Sequence, residues 1–351
     1  MSKRIVFLSD GTWQGPLNNT NVYRLYKALP VTSDQVVYYD DGVGADAAGL
    51  ERLLEGAFAT TIFQKIMDGY TTIAHVYEPG DQIYLFGFSR GAYTVRCLAG
   101  MIANCGLPSG SFTQDCVTQA FQAYRSPGQR QAILASLGAC NFADAIITMV
   151  GVWDTVGALG IPAIFGGIDE GKYGFLDTKL HPDVKNAVHC MAIDEQRPQF
   201  PATLWDPLAA TPLGQQPTQT LTQVWFTGCH GDCGGGTLPG TVLDNNTRLC
   251  DITMGFMVSQ ALALGLTFDP ALVAQYSSLT SEDALDIIRQ SWSPKDGPVH
   301  LRPIDPEANV GNSVAIRIQY ALTYTPGNLN ITDAVLAPTY NQVQVISPNS
   351  L

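Results

Sequence analysis

Long hydrophobic runs are missing from this sequence: none approaches the roughly 18–20 apolar residues that a membrane-spanning helix needs. The N-terminal stretch is not expected to be a secretory signal either. Lys3 and Arg4 are followed by Ile5, Val6, Phe7 and Leu8, and then Ser9 and Asp10 interrupt the run. That stretch is too short for the core of a cleaved leader. Ordinary Sec export is therefore not expected. The expectation is a cytoplasmic protein, with signal-less release by a specialised route left open. Positive charge is scarce. Lys and Arg number 19 against 31 Asp and Glu, a net charge of −12. That balance argues against nucleic acid and against electrostatic docking on anionic lipid. It leaves room for transient contact with a membrane surface through apolar side chains. None of the eight cysteines forms a C-x-x-C pair, and most lie in apolar stretches. Buried free thiols in a reducing compartment are expected. No internal repeat, low-complexity linker or charge block is present, and the oligomeric state is not readable.

What is present is a core-rich chain of 351 residues, 46% hydrophobic and 14% charged, which excludes disorder. Apolar strand-like runs alternate with helical periodicity. Residues 4–9, 35–39, 82–88, 145–153, 187–193 and 222–228 read as strands. Helices are expected over about 19–29, 60–77 and 90–104. This alternation predicts an α/β fold, a mostly parallel sheet covered on both faces. One domain spanning residues 1–351 is expected, with cap or lid insertions near 106–143 and 157–186. Residues 282–292 suggest a helix and 315–324 a strand, and the role of 300–351 is not legible.

The most specific local pattern is Gly87-Phe88-Ser89-Arg90-Gly91, between a strand and a helix. A G-x-S-x-G sequence in that setting is a nucleophile elbow, the signature of the α/β-hydrolase fold. The turn is so tight that the serine must adopt strained backbone geometry, and the flanking glycines remove clashing side chains. A serine hydroxyl needs a base. Of five histidines, His230 stands out: it follows a late strand, inside GCHGDCGGG. A metal site on Cys229, His230, Asp232 and Cys233 is disfavoured, because five consecutive residues rarely close a tetrahedral shell. No cofactor is required. The base in turn needs an acid. Asp154 ends one strand and Asp194 the next, and both preserve the order Ser–Asp–His. The residues alone do not choose between them.

Five ordered motifs, DGTW, GFSRGAYTVR, GVWDTVG, AIDEQRPQF with TLW, and WFTGCHGDCGGG, together resemble a hydrolase family first catalogued as of unknown function. That family includes the phospholipase effectors of type VI secretion systems and many bacterial and fungal relatives. The resemblance spans about residues 4–258. It implies Ser89 as nucleophile, Asp154 as acid and His230 as base, with Asp194 and Glu195 in a structural or substrate-loop role. Cys229 and Cys233 depart from the family pattern. The large secreted effectors also carry membrane-anchoring regions for which 351 residues leave little room.

Ser9-Asp10-Gly11-Thr12 follows the first strand. An aspartate-nucleophile phosphatase would carry a second acid where Leu8 stands, so phosphoryl chemistry is not favoured. The turn instead offers an oxyanion hole: the N–H of Gly11 or Thr12 together with that of Arg90. Leu159, Ile161, Ile164, Phe165 and Phe175 lie just past Asp154 and suggest a lid or acyl pocket. The expected function is a serine ester hydrolase, lipase- or phospholipase-like, acting on small-molecule or lipid esters. The alternatives are a non-catalytic module that kept the fold, and a metal-dependent phosphoesterase using Asp10, Asp40, Asp41, His230 and Asp232.

Overall fold

Runs of six to nine residues become the six strands of one parallel sheet. They are β1 (Arg4–Ser9), β2 (Gln35–Asp40), β3 (Gln82–Phe88), β4 (Ile147–Trp153), β5 (Val184–Ala192) and β6 (Thr220–Phe226). Their spatial order is β2-β1-β3-β4-β5-β6. The structure is a computed structural model and describes residues 2–11, 14–42, 57–137, 140–157, 179–211, 217–236, 247–321, 323–336, 338 and 340–345.

Both faces of the sheet are covered, which is why the central strands read as nearly continuous apolar sequence. On β1, Ile5 and Phe7 pack into one core with Ile66, Tyr70 and Leu98. Val6 and Leu8, pointing the other way, join Val22, Leu25 and Met257. The first face is covered by α2 (Ala57–Ala74) and α3 (Ser89–Cys105), with α4 (Gln114–Arg125) and α5 (Arg130–Ser136) beside them. The second face is covered by α1 (Asn21–Ala28), which follows a capping Thr20 that accepts the Tyr23 N–H. The short α6 (His230–Gly234) leads towards α7 (Arg248–Ala263), and α8 (Pro270–Ser277) completes that layer.

The chain runs from β1 outward to β2 and then returns to the other side of β1 for β3. This reversal opens a crevice at the C-terminal ends of β1 and β3, the usual place for a site in such sheets. The turns holding Asp10-Gly11 and Ser89 meet there.

Beyond residue 260 the structure corrects the sequence reading. The expected helix over 282–292 is only α9 (Ser281–Ala284). The expected strand over 315–324 is α10 (Asn312–Tyr320). Val314 and Ile318, four residues apart, face one core, while Ile316 enters another. Burial on two sides gives a run that mimics strand sequence. The segment 300–336 also has a visible place. Val310 bridges in parallel to Trp225 of β6, and Val310, Val314, Leu329 and Val335 pack with Met191, Ile193 and Trp225. This covers the β6 edge of the sheet.

The cysteine expectation is corrected as well. Cys116 of α4 is disulfide-bonded to Cys140, with Cα atoms 6.1 Å apart. The other six cysteines are free and buried. A pairing across 24 residues leaves no local signature to read. Among the described residues no helix is long and apolar enough to cross a membrane.

Candidate active site

Ser89 is the first residue of α3, directly after β3, and its φ of 57° is left-handed. The flanking glycines are there for space. A Cβ on Gly87 would lie 2.6 Å from the Gly91 carbonyl oxygen, and a Cβ on Gly91 would lie 2.2 Å from that of Ser9. Each is far inside contact distance, so the turn and its packing against the end of β1 require both glycines.

His230 reaches Ser89 from the far side of the sheet order. Its Nε2 lies 2.9 Å from Ser89 Oγ, and its Nδ1 lies 2.5 Å from Asp154 Oδ2. An ionised carboxylate only accepts, so Nδ1 carries the proton and Nε2 accepts from the serine hydroxyl. The ring sits between Phe88, with centroids 4.5 Å apart, and Phe200, edge-on at 5.0 Å. Its backbone is fixed too: the His230 N–H donates to Glu195 Oε2 at 3.1 Å. Burial holds the imidazole below its ordinary pKa, against the pull of Asp154.

The loop cysteines are packing groups. Cys233 is fully buried and its thiol donates to the Cys190 carbonyl. Asp232 accepts the Cys229 N–H at 3.0 Å, the Thr247 hydroxyl at 3.1 Å and Arg289 Nε at 2.6 Å. It ties the His230 loop to the chain beyond α9.

Asp154 and Asp194, which the sequence left in competition, have different surroundings. Asp154 is fully buried, at the end of β4, with φ 40°. Asp194 accepts the Gly228 N–H at 2.7 Å and the Tyr324 hydroxyl at 3.0 Å. It braces the turn that leads to His230 rather than the ring itself. Burial lifts its pKa to about 6.

The Asp154 carboxylate has a second partner that sequence reasoning missed. Arg302 Nη1 donates to Oδ1 at 2.6 Å and Nη2 to Oδ2 at 2.8 Å, a guanidinium fork. Arg302 is 2% exposed and is itself anchored on the carbonyls of Ala192, at 2.8 Å, and Phe200, at 2.7 Å. Burial opposes charge on Asp154, but Arg302 and His230 outweigh it and hold the carboxyl well below the usual range. No local pattern marks Arg302: its partner lies 148 residues earlier in the chain.

At the end of β1, Asp10 turns inward. Its carboxylate accepts the Thr20 hydroxyl at 2.6 Å, the Tyr39 hydroxyl at 2.9 Å and the Gly11 N–H at 2.8 Å. Burial lifts its pKa to about 6. The Gly11 N–H, one of the expected oxyanion donors, is therefore already engaged by Asp10. Gly11 still approaches Ser89 closely, its built Cβ position lying 3.2 Å from Ser89 Cβ. Asp40 is engaged by Lys65 at 2.6 Å. Thr12, and the lid candidates Leu159, Ile161, Ile164, Phe165 and Phe175, lie outside the described residues.

Residues 3–260 match the family described as T6SS, Phospholipase effector Tle1-like, catalytic domain. The chain belongs to this family. The match holds Ser89, Asp154 and His230 but ends before Arg302. An uncharacterized protein of Saccharomyces cerevisiae is 32% identical over 238 residues, covering 60% of this chain and 34% of the relative. A crystal structure of an uncharacterized protein from Pseudomonas aeruginosa aligns with a TM-score of 0.44 and 16% identity, over 78% of this chain and 47% of that one. The chain thus spans about a third of the yeast relative's length and about half of the Pseudomonas chain.

Proposed function

We propose that this protein is a serine hydrolase of carboxylic esters, acting on lipid-like substrates through an acyl-enzyme. The observation that carries the reading is the unbroken hydrogen-bonded line Ser89–His230–Asp154, at 2.9 and 2.5 Å. Ser89 Oγ attacks the ester carbonyl carbon as its proton passes to His230 Nε2. Asp154 keeps the proton of Nδ1 in place and stabilises the imidazolium. The tetrahedral oxyanion forms beside the first turn of α3, where the helix dipole favours negative charge. The Arg90 N–H is one donor to it. With Gly11 engaged by Asp10, the Thr12 N–H is the remaining candidate from the β1 turn. Collapse releases the alcohol, which takes the proton from Nε2. Water then attacks the acyl carbon as His230 Nε2 takes its proton; collapse breaks the bond to Ser89 Oγ, which recovers the proton from Nε2, and the free acid leaves.

Membership of a phospholipase family favours a lipid ester. The headgroup and acyl length are matters for measurement. The test is to treat the protein with a fluorophosphonate and map the adduct by mass spectrometry, alongside hydrolysis of p-nitrophenyl esters and of phosphatidylcholine vesicles. A single adduct on Ser89 and chelator-insensitive hydrolysis are expected. An unlabelled Ser89 in a protein that hydrolyses esters would sink the assignment.

The same reading fixes a pH profile. His230 must be neutral to accept the serine proton, and burial holds its pKa below 6.5. The acid limb of kcat/KM is therefore expected below pH 6.5, with activity retained on the neutral side. A limb above pH 7 would contradict it.

A further inference from the structure

The hydrogen-bonded line does not end at Asp154, because the carboxylate is shared between His230 and a buried guanidinium. We propose that Arg302, from the segment beyond the family match, is a positioning residue of this site: its fork fixes the Asp154 carboxylate so that Oδ2 meets His230, and its charge sets the pH at which the His230–Asp154 pair takes up a proton. This rests on the proposed role of the pair in catalysis.

Geometry makes the first part of the argument. A lone carboxylate at the end of a strand can rotate about its Cα–Cβ and Cβ–Cγ bonds. Here both oxygens are held: Oδ1 by Arg302 Nη1 and the Ala192 N–H at 3.0 Å, Oδ2 by Arg302 Nη2 and His230. The guanidinium cannot follow a rotation, since its other N–H groups are taken by Ala192 and Phe200. Phe200 also packs edge-on against the His230 ring. One side chain therefore fixes the acid and the chain segment that walls the base.

Electrostatics makes the second part. The other titratable groups facing the pair, among the described residues, contribute little net charge. The His189 ring accepts the Thr155 N–H and is kept neutral by burial, its pKa near 3. The Cys190 and Cys233 thiols are pushed well above their ordinary pKa by burial and stay protonated. Glu195 is forked by Arg197 at 2.9 Å on each oxygen. Asp232 is paired with Arg289 at 2.6 Å. Among the described residues Arg302 is then the cation in direct contact with Asp154, and through it the one that opposes an imidazolium at His230. Without it, the buried pair takes up a proton more readily, whichever partner carries it.

The experiment compares Arg302→Met and Arg302→Lys with the parent in two ways. One is the pH dependence of kcat/KM on a soluble ester. The other is the titration of His230 followed by NMR of the imidazole nitrogens in the Ser89→Ala background. For Arg302→Met the acid limb and the His230 titration should both move up by about one pH unit or more, the usual effect of a neighbouring charge. kcat should fall about 10- to 100-fold, as expected for a base misplaced by a fraction of an ångström. Arg302→Lys should leave the limb near its parental pH, since the charge remains, while kcat falls because a single ammonium cannot reproduce the fork. A merely structural arginine would lower the folded fraction and leave both pH readouts where they were, and that result would overturn the proposal. So would parental kcat in Arg302→Lys. Should Arg302→Met not fold, Arg302→Gln carries the same pH test with a neutral donor. The NMR titration needs no turnover, so it separates failure of this inference from failure of the serine assignment.

Discussion

Ser89→Ala is expected to lower kcat for ester hydrolysis by about 10⁴–10⁶-fold, the loss seen when a nucleophile that works as part of a triad is removed. The substitution deletes a hydroxyl whose partner is His230 Nε2 at 2.9 Å and leaves the remaining framework in place. Alanine tolerates the φ of 57° about as well as serine does, so stability should change by less than about 1 kcal/mol. Stopped assays on a p-nitrophenyl ester, with a denaturant melt of the same sample, check both halves. Hydrolysis retained within tenfold would mean that the reacting group is not Ser89. The carboxylates at the end of β1 and β2 would then return as candidates.

Asp154→Asn should combine a catalytic with a structural loss. Replacing the triad acid by its amide costs about 10⁴-fold, because the imidazole is left in the wrong tautomer. In this protein the amide meets a second difficulty. Every group around Asp154 is a donor: Ala192 N–H, both Arg302 nitrogens and His230 Nδ1–H. An asparagine NH₂ faces a donor in either orientation, and Arg302, 2% exposed, loses its counter-charge. Breaking a buried pair from one side typically costs about 3–5 kcal/mol. Ser89→Ala and Asp154→Asn should thus be similarly inactive but sharply different in denaturant midpoint. Equal midpoints would mean that the guanidinium finds solvent or another acceptor, and that the fork matters less than its distances imply.

The parts of this architecture that could be read from the chain are those with a local cause. The central strands announce themselves because a sheet covered on both faces demands unbroken apolar sequence. Gly87 and Gly91 are legible because their neighbours leave no room for a side chain. His230 is legible because its loop must approach a backbone closely. The choice between Asp154 and Asp194 was not local. Both end a strand, and what separates them is which strand end faces the histidine ring, a property of the assembled sheet. The engagement of the Gly11 N–H by its own neighbour, Asp10, depends on a side-chain rotation that no pattern encodes. The strand-like reading of 315–324 failed because α10 is buried on two sides. Arg302 was hidden for the simplest reason: an arginine in a polar loop is ordinary until its partner is known.

The position of Arg302 in the chain has a consequence for how the site comes into being. Ser89, Asp154 and His230 have all left the ribosome well before residue 302 does, and at typical elongation rates of about 5–20 residues per second the interval is several seconds. Through that interval Asp154 is in the chain but Arg302, its partner in the folded protein, is not. The segment that brings the arginine also brings Val310 to the open edge of β6, so the sheet is sealed and the acid neutralised by the same late arrival. If the proposed roles hold, maturation of the site is thereby tied to this segment: a chain lacking it would contain Ser89, Asp154 and His230 and still lack the guanidinium that forks the acid.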